Sequence, residues 1–400
     1  MDQIRDRERK DMLCFGGEDW WYHNRGHIDM QLMRRFARKG TTLYVNSIIM
    51  QKLNLDQSRK FIQKLVRKTR SIFRGLKKTE DGFWVYSPIS LPVQHISWAR
   101  PLNELLLHLQ ISHVVRRIGI RAPIVWVACP AAYGVAIRIK ASKLVYQRTD
   151  RFEDFPGVDF ETIRKFDQKL KANSDLTIYV NDKLFKEEAN ECRNAIYLDH
   201  GVDFEMFASP VQRLSEPSDI SGIPRPIIGF IGSIDDCNPD IDFLGKVADL
   251  LPHMSFVVIG REQTDCSGLK ARKNVWMLGQ KAYELVPEYG KRFDVSLLPL
   301  YQSKWAEAVN PLKLKEYLAL GKPIVSTPFP ELRKYLDVVY EAKTPSTFAE
   351  CIEKAISENS AEYITKRRDK VRNTSWDSKA ELVMDELFEN RESFEKGIVD

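Results

Sequence analysis

Short apolar runs alternate with amphipathic stretches along the first half of the chain. A glycine turn at Gly16-Gly17 and a helical pattern over 28–39 separate the first two runs. Runs of strand length that alternate with helical periods predict βαβ units, and therefore a parallel sheet whose strand carboxyl ends line a cleft. The apolar runs are MLCF from Met12, TLYVNS at 42–47, FWVYS at 83–87, IVWVA at 124–128, KLVYQ at 143–147 and LTIYV at 176–180.

A second series of the same kind begins at residue 227, with helical patterns near 240–251 and 282–290 between its runs. Residues 209–226, with four prolines and four serines, separate the two series as a linker. The last periodic stretch, 376–390, predicts a helix on the outside of one domain. The apolar runs are IIGFIGSI at 227–234, SFVVIGR at 255–261, NVWMLG at 274–279, DVSLLPL at 294–300 and PIVST at 323–327.

These patterns predict an α/β protein of two Rossmann-like, doubly wound parallel-sheet domains that face a cleft. The first domain spans 1–208 and the second 227–370, joined by the linker 209–226. Residues 371–400 form a C-terminal helical segment, for which the N-terminal domain is a candidate packing surface.

Composition narrows the class of protein. A chain of 400 residues with 43% hydrophobic residues can bury two cores, yet it has no run of eighteen apolar residues and no apolar signal segment near Met1. Its six cysteines are isolated from one another and from histidines, which predicts reduced thiols and no metal site. We therefore expect a cytoplasmic protein that requires no metal or other cofactor.

The net charge of +6 is concentrated in one segment. Residues 57–79 contain nine Lys or Arg and no acid, and their apolar positions share one side of a helix. Such a helix either lies on an anionic membrane surface or packs on its own domain with solvated cations, and both interpretations stay open. Nucleic-acid binding is not expected, because no aromatic-studded basic sheet accompanies the segment.

The stretch NPLKLKEYLALGKPIVSTPFPE at 310–331 has the features of a phosphate-binding helix start. Asn310 as N-cap and Pro311 at the first position would leave backbone N–H groups free at the sheet's carboxyl edge. Lys313 would add a cation for a diphosphate, and Glu316, on the same side, would accept from two ribose hydroxyls. A plain capped helix with an exposed Lys–Glu pair explains the spacing equally well. Gly321 would end the helix.

This stretch resembles the donor-binding signature of GT-B glycosyltransferases, in particular the retaining family-4 type of teichuronic-acid and exopolysaccharide assembly. Two further passages are similar to that family: NSDLTIYVNDKLFKE at 173–187 followed by IYLDHGVDFEMF at 196–207, and the strand runs between 226 and 300. The resemblance covers most of 120–330 in the right order. It implies a sugar transferase with a nucleotide-sugar donor and no metal.

The resemblance also implies a set of donor-binding residues. Glu316 would bind ribose, the first turn of its helix and Lys313 the diphosphate, and the loop 278–285 the base. The family often has a further Glu eight residues before Glu316, but position 308 is Ala and the nearest acid is Glu307. The donor-binding set is Gly16, Gly17, Gly232, Arg261, Tyr283, Asn310, Leu312, Lys313 and Glu316.

Candidate catalytic residues of the first domain follow its glycine turn and its β-run at 143–147. In EDWWYHNRGH, 18–27, the aromatic rings would stack on sugars, and His23, Arg25 or His27 would contact phosphate or acceptor. Asp150 would orient the acceptor or act as a base, although an ion pair with Arg148 or Arg151 is an equal alternative.

The sequence thus predicts a glycosyltransferase, retaining by resemblance. It would move a sugar from a nucleotide diphosphate to a lipid-linked or polysaccharide acceptor in cell-surface polysaccharide biosynthesis, at the inner membrane face. Two alternatives remain: a nucleotide-sugar epimerase, for which no convincing carboxylate pair is present, and a non-catalytic nucleotide-binding or scaffold protein.

Overall fold

The chain divides into two compact units in the computed structural model. The first consists of residues 1–199 and 379–400, and the second of residues 200–378. The boundary lies before the proposed linker, so the HGVD stretch belongs to the second unit. The structure describes residues 10–22, 26–50, 58–91, 93, 95–155, 157–209, 217–235, 239–302 and 309–388, with 58–65 described by their backbone alone.

The described residues of the first unit form an eight-stranded sheet in the order β3-β4-β2-β1-β5-β6-β7-β8, parallel except for the edge pair β3–β4. Its strands are β1 Met12–Phe15, β2 Thr42–Val45, β3 Leu76–Lys78, β4 Trp84–Tyr86, β5 Ile124–Val127, β6 Lys143–Arg148, β7 Leu176–Tyr179 and β8 Ala195–Tyr197. Its helices are α1 Ile28–Phe36, α2 Ser58–Arg74, α3 Arg100–Arg117, α4 Tyr133–Ala136, α5 Phe160–Asn173 and α6 Asp182–Glu188. Short 3₁₀ turns cover Pro130–Ala132, Phe152–Asp154 and Ala189–Glu191.

The described residues of the second unit form a six-stranded, fully parallel sheet in the order β11-β10-β9-β12-β13-β14. Its strands are β9 Ile227–Ile231, β10 Ser255–Ile259, β11 Val275–Met277, β12 Val295–Leu298, β13 Ile324–Ser326 and β14 Tyr340–Glu341. Its helices are α7 Phe204–Ala208, α8 Ile241–Leu250, α9 Ser267–Lys270, α10 Val286–Gly290, α11 Leu312–Leu320, α12 Pro345–Ser357 and α13 Ala361–Asp369, with 3₁₀ turns at Tyr283–Leu285 and Pro330–Tyr335. Helix α14, Trp376–Phe388, begins in this unit and continues in the first.

The central strands are buried on both faces, which explains why they read as continuous apolar runs. Every residue of β1, β5, β9 and β10 is buried, as a sheet covered by helices on each side requires. The predicted two-sheet α/β architecture is therefore confirmed. The carboxyl ends of the parallel strands carry the loops in which candidate site residues lie.

Two predicted elements differ from the structure. Helix α2 ends at Arg74, before Gly75 with φ +58°, and Leu76 starts the edge strand β3 instead of continuing the helix. Phe73, expected on the packed side, is 85% exposed. Residues 282–290 form a 3₁₀ turn followed by a five-residue helix. None of the helices in the described ranges is long and apolar enough to cross a membrane.

Candidate functional site

Helix α11 begins at Leu312, one residue later than expected. Pro311 is its N-cap with extended backbone, and no side chain caps the first turn, so the expected Asn310 cap is wrong. The carbonyl of Asn310 instead accepts a hydrogen bond from Nε2 of His200 at 3.0 Å. The N–H groups of Leu312 and Lys313 still lack partners within the helix, because a first turn leaves them free. At the other end Gly321, with φ +78°, closes the helix as predicted.

Two side chains outside the predicted set position α11. Ile231, the last residue of β9, donates its N–H to the Tyr317 hydroxyl at 2.8 Å. Lys315 is buried, and its Nζ donates to the His200 carbonyl at 2.5 Å. His200, where the resembled family has Asn, therefore binds Asn310 before α11 through its ring and Lys315 of α11 through its backbone. The sequence alone does not indicate these contacts, because no periodic pattern links His200 to Lys315. They become visible only once the fold places the HGVD stretch beside α11.

Lys313 lies over Gly232 at the carboxyl end of β9. A Cβ on residue 232 would stand 2.2 Å from Cε and 2.9 Å from Nζ of Lys313, so the glycine makes room for the lysine. Gly260, after β10, is packed against the same loop, since a Cβ there would meet the Gly232 carbonyl oxygen at 1.6 Å. Desolvation lowers the pKa of Lys313, whereas Glu316 and Asp235 oppose that change. The Lys313 ammonium group thus lies against Gly232, and Lys313 itself belongs to the helix turn whose N–H groups have no intrahelical partner.

Glu316 is a buried carboxyl group on the same helix. It is 6% exposed, and its Oε1 accepts no hydrogen bond from the part of the chain that the structure describes. Burial raises its pKa to about 7, while Lys313 and the Tyr283 hydroxyl act in the opposite direction. The Glu–Lys pair is therefore not the exposed surface pair of the alternative interpretation. An unused acceptor oxygen of this kind suits a ligand that brings hydroxyl donors.

Two further predicted donor residues lie around this helix. Tyr283 is 2% exposed and its ring packs against Phe207 at 6.0 Å, so the ring is part of the core and its hydroxyl lies beside Glu316. Arg261 follows β10; its backbone carbonyl accepts from Ile234, and its Nε is buried without a partner among the described residues. The second unit thus brings Gly232, Arg261, Lys313 and Glu316 to one sheet edge.

In the first unit the glycine turn is tied to Asp29. The buried carboxylate of Asp29 accepts from Gly17 N–H at 2.8 Å and from the Tyr44 hydroxyl at 3.0 Å, and it pairs with Nδ1 of His27 at 2.5 Å. Despite the desolvation of both groups, this pairing raises the pKa of His27 to about 9 and lowers that of Asp29 to about 2. His27 is therefore a cation next to the turn. The space beside Gly16 is filled by the Tyr44 ring, 2.1 Å from where a Cβ would stand.

Asp150 follows β6 and is electrostatically coupled to His27. Burial raises its pKa, and His27 and Arg148 lower it. The alternative ion pairs are not formed: Arg148 binds Glu153 at 2.8 Å and Glu188 at 3.2 Å, and Arg151 binds Glu187. His27 and Asp150 thus form a pair of candidate residues at one edge of the first sheet.

The aromatic residues after the glycine turn differ from expectation. Trp20 is 1% exposed, between Tyr44 and Phe83, so it is a core residue and cannot stack on a sugar. Arg74 lies over the rings of Trp21 and Tyr22, at 4.9 and 5.6 Å from their centroids. His23, Arg25, Glu307 and Ala308 lie outside the described residues. Within the described ranges no three His, Cys, Asp or Glu side chains are grouped as they would be to hold a metal ion.

Comparison with known proteins finds a family model that matches the region of this site. Residues 225–358, which contain Gly232, Arg261, Lys313 and Glu316, match the family model for glycosyl transferases group 1. The second unit contains a glycosyltransferase group 1 domain. The chain is also 29% identical over 231 residues to the putative teichuronic acid biosynthesis glycosyltransferase TuaH of Bacillus subtilis, a match that covers 54% of this chain and 57% of that relative.

Solved structures share the fold of the glycosyltransferase domain and of the first unit. Sucrose-phosphate synthase of Thermosynechococcus elongatus has a TM-score of 0.69 at 13% identity, covering 96% of this chain and all of that one. HepE of Anabaena in complex with UDP-glucose has a TM-score of 0.64 at 12% identity, covering 94% and 99%. These likenesses confirm the predicted GT-B fold, and the family match confirms the resemblance to glycosyltransferases. Nothing in them supports an epimerase.

Proposed function

We propose that this protein transfers a sugar from a nucleotide-diphosphate donor to a lipid-linked or polysaccharide acceptor in the assembly of a cell-surface polysaccharide. One observation carries the proposal: the glycosyltransferase domain places a cation, free helix N–H groups and a buried carboxylate with an unused oxygen along α11. The similarity to TuaH, a putative glycosyltransferase of teichuronic acid biosynthesis, supports the class of acceptor.

The donor would bind along the first two turns of α11. The N–H groups of Leu312 and Lys313, the positive end of the helix dipole and Lys313 Nζ would hold the diphosphate. Arg261 adds a second cation on the neighbouring strand end. Glu316 Oε1 would accept from the ribose hydroxyls, and the loop 278–285 would hold the base. HepE, a structural relative, was solved with UDP-glucose, which is a donor of this type.

The reaction breaks the bond between the sugar's anomeric carbon and the diphosphate oxygen and forms a bond from that carbon to the acceptor hydroxyl. Lys313 and the helix amides would stabilise the charge that develops on the departing diphosphate. In the retaining course that the family resemblance suggests, the departing phosphate takes the acceptor proton. His27 and Asp150, at the sheet edge of the first unit, would bind and orient the acceptor.

The proposed lipid-linked acceptor and the basic segment 57–79 both favour a protein that acts at a membrane surface. Helix α2 carries cations without an acid, and its described outward positions mix Arg70 and Arg74 with Val66 and Phe73. A basic surface with apolar side chains suits an anionic lipid surface. We therefore propose peripheral attachment at the inner membrane face.

Donor turnover and donor binding test the proposal. Purified protein would be given UDP-, GDP-, ADP- and dTDP-sugars with membrane extract as the source of acceptor, and sugar transfer and nucleotide release would be measured. Glu316→Ala should weaken donor binding by about 1–3 kcal/mol, because a charge-assisted hydrogen bond is lost. Glu350→Ala, on the exposed face of α12, serves as the matched control.

Selective turnover of one donor that disappears in the Glu316→Ala variant would establish the transferase. Equal donor affinity in both proteins would remove Glu316 from the site. Tight nucleotide binding without any turnover, even with membrane extract, would instead favour the non-catalytic alternative.

A further inference from the structure

The outer side of helix α3 carries four exposed leucines, which we call the leucine face: Leu102, Leu105, Leu106 and Leu109. They are 63%, 45%, 38% and 58% exposed. Their spacing of three and four residues puts them on one side of the helix, while Leu107, Ile111 and Val114 on the other side are buried in the core of the first unit. Contiguous apolar exposure of this kind marks a contact surface.

Neighbouring apolar residues are held outward beside this face. The side-chain amide of Gln110 donates to the Ile89 carbonyl and accepts from its N–H, both at 3.0 Å. Asn103 brackets Leu91 in the same way, at 2.9 and 3.2 Å. Ile89 and Leu91 are 51% and 49% exposed, and Trp98, just before the helix, is 75% exposed. The side chains of Gln110 and Asn103 therefore fix the backbone at Ile89 and Leu91, and these apolar side chains stay exposed in the folded protein.

The exposed charges that α3 itself carries at its carboxyl end are positive. Its helix ends in exposed Arg116 and Arg117. The one acid of α3, Glu104, lies on the buried side and binds Arg138 at 3.2 Å. The outer face of α3 thus continues from leucines into cations without a carboxylate, which is the arrangement that favours an anionic surface.

The basic helix α2 is connected to α3 through one short stretch of chain. Ser71 of α2 is hydrogen-bonded to the Ser87 hydroxyl at 2.7 Å, and Gln110 of α3 binds the backbone of Ile89, two residues further on. Phe73, 85% exposed, lies two residues after Ser71. The buried side of α2 and the Gln110 position of α3 are therefore tied to the same short stretch of chain after β4.

We propose that the leucine face inserts among the lipids of an anionic bilayer, with Trp98 at its edge and the cations of α2 and α3 at the headgroups. Burial of leucines supplies an attachment that salt does not screen, whereas the cations supply one that salt does screen. A second copy of this chain is a poorer occupant, because its face would present the same cations. This inference rests on the membrane contact proposed above and extends it from a basic segment to a defined apolar surface.

Flotation with vesicles separates the two contributions. The probes are vesicles with about 30% phosphatidylglycerol and purely zwitterionic vesicles, at low and at high salt. Changing all four leucines of the face to serine should lower binding to anionic vesicles by about tenfold or more, and should abolish the part that persists at high salt. Leu250→Ser/Leu336→Ser, which alters two leucines of the second unit that are 50% and 48% exposed, should bind like the wild type.

A second variant separates the contribution of the α2 cations from that of the leucine face. Replacing Arg59, Lys60, Lys64, Arg67 and Arg70 by glutamine should remove the salt-sensitive part and leave the salt-resistant part. Tryptophan fluorescence should shift to the blue with anionic vesicles, and the shift should shrink in Trp98→Phe. Nucleotide-sugar binding by each variant reports that the protein is folded.

Three outcomes would overturn the inference. The serine variant could bind vesicles as tightly as the wild type, or the wild type could bind none. Light scattering after gel filtration could show a dimer that becomes a monomer in the serine variant, which would make the leucine face an interface between copies. Loss of vesicle binding with unchanged donor turnover on a soluble acceptor would leave the transferase proposal intact.

Discussion

Glu316 combines burial, a free acceptor oxygen and a neighbouring cation, and this combination makes its protonation matter at physiological pH. Its pKa of about 7 in the folded protein lies above the ordinary value of 4.5. A carboxyl group whose pKa is raised by folding binds protons more readily in the folded than in the unfolded state, so its ionisation costs stability as pH rises from 4.5 to 7. The free protein thus holds an acid that a donor's hydroxyls would stabilise in its ionised form.

Donor affinity should therefore depend on pH. The ribose hydroxyls need the carboxylate as acceptor, so binding below pH 7 must first remove a proton from Glu316. Affinity should fall by up to about tenfold per pH unit below that value and stay level above it. Calorimetry between about pH 5.5 and 8.5, in buffers of different ionisation enthalpy, measures both the affinity and the released proton. A nucleotide sugar is a diphosphate diester and does not titrate in this range.

Glu316→Gln provides the matched comparison, because it keeps the size of the side chain and removes the titration. Its donor affinity should be weaker at pH 8 and independent of pH. The free variant should also unfold at a higher temperature than the wild type at pH 8 and not at pH 4.5, since the cost of ionising a buried acid is gone. A wild-type affinity that does not change with pH would contradict this account of Glu316.

Asp29 holds the glycine turn of the first unit, and its loss should destabilise the fold. Asp29→Ala would leave the Gly17 N–H without its acceptor, would remove the partner of His27, and would leave the Tyr44 hydroxyl with the Glu18 carbonyl alone. We expect a loss of about 3 kcal/mol or more in the free energy of unfolding, because a buried N–H would be left unpaired and the His27 cation would lose its partner. Urea denaturation at pH 7 measures it. The pair's contribution should decline as pH rises from 6.5 through about 9, where His27 loses its proton.

The control for Asp29 is an ion pair that joins Arg34 of the same helix to Asp81, in the turn between β3 and β4. Asp81 binds Nε of Arg34 at 2.9 Å and is one-third exposed. Asp81→Ala should cost less than about 1 kcal/mol, because solvent screens such pairs. Similar losses for the two variants would mean that Asp29 does not hold the turn.

At the level of elements, two glycines on adjacent loops of the second sheet should respond differently to the same substitution. A methyl group on Gly232 would collide with the flexible end of Lys313, which can move aside, whereas one on Gly260 would collide with the Gly232 carbonyl. Gly232→Ala should therefore fold and weaken donor binding about tenfold or more by displacing the lysine, and Gly260→Ala should lower the melting temperature strongly. Thermal scans and donor titrations distinguish the two effects. Unchanged donor affinity in Gly232→Ala would separate Lys313 from the diphosphate.

The strands could be predicted closely because a strand buried on both faces needs an unbroken apolar run, as in β1 and β9. The first residues of helices are harder to predict from the sequence. The prediction put Asn310 at the N-cap of α11 because of its side chain, but His200, 110 residues away, binds the Asn310 carbonyl. Trp20 was expected at the surface because it follows a glycine turn, and yet Tyr44 and Phe83 enclose it. Contacts distant in sequence decided each of these cases.

At the scale of the whole molecule, the two-sheet organisation can be predicted from the regular alternation of apolar runs and helical stretches. The helix that carries Lys313 and Glu316 can be predicted from the spacing of residues in 310–331. The leucine face could not be predicted in this way. In NELLLHLQISHVV, at 103–115, leucine and isoleucine occupy both sides of α3, so the sequence does not say which side the core buries. The Asp29–His27 pair could not be predicted for another reason: the sequence does not distinguish a buried acid in the first turn of a helix from a solvated one.

The first unit is made of two separated lengths of chain, 1–199 and 379–400, and the second unit lies between them in sequence. In the later length, Val383 of α14 is buried, and Lys10 lies over the Phe388 ring at 3.6 Å. During synthesis on a ribosome the first unit is therefore missing part of its own packing until the second has emerged. The second unit can complete its fold first, although more than half of the first unit is synthesised before it. A chain released before α14 would therefore expose the apolar surface that this helix covers.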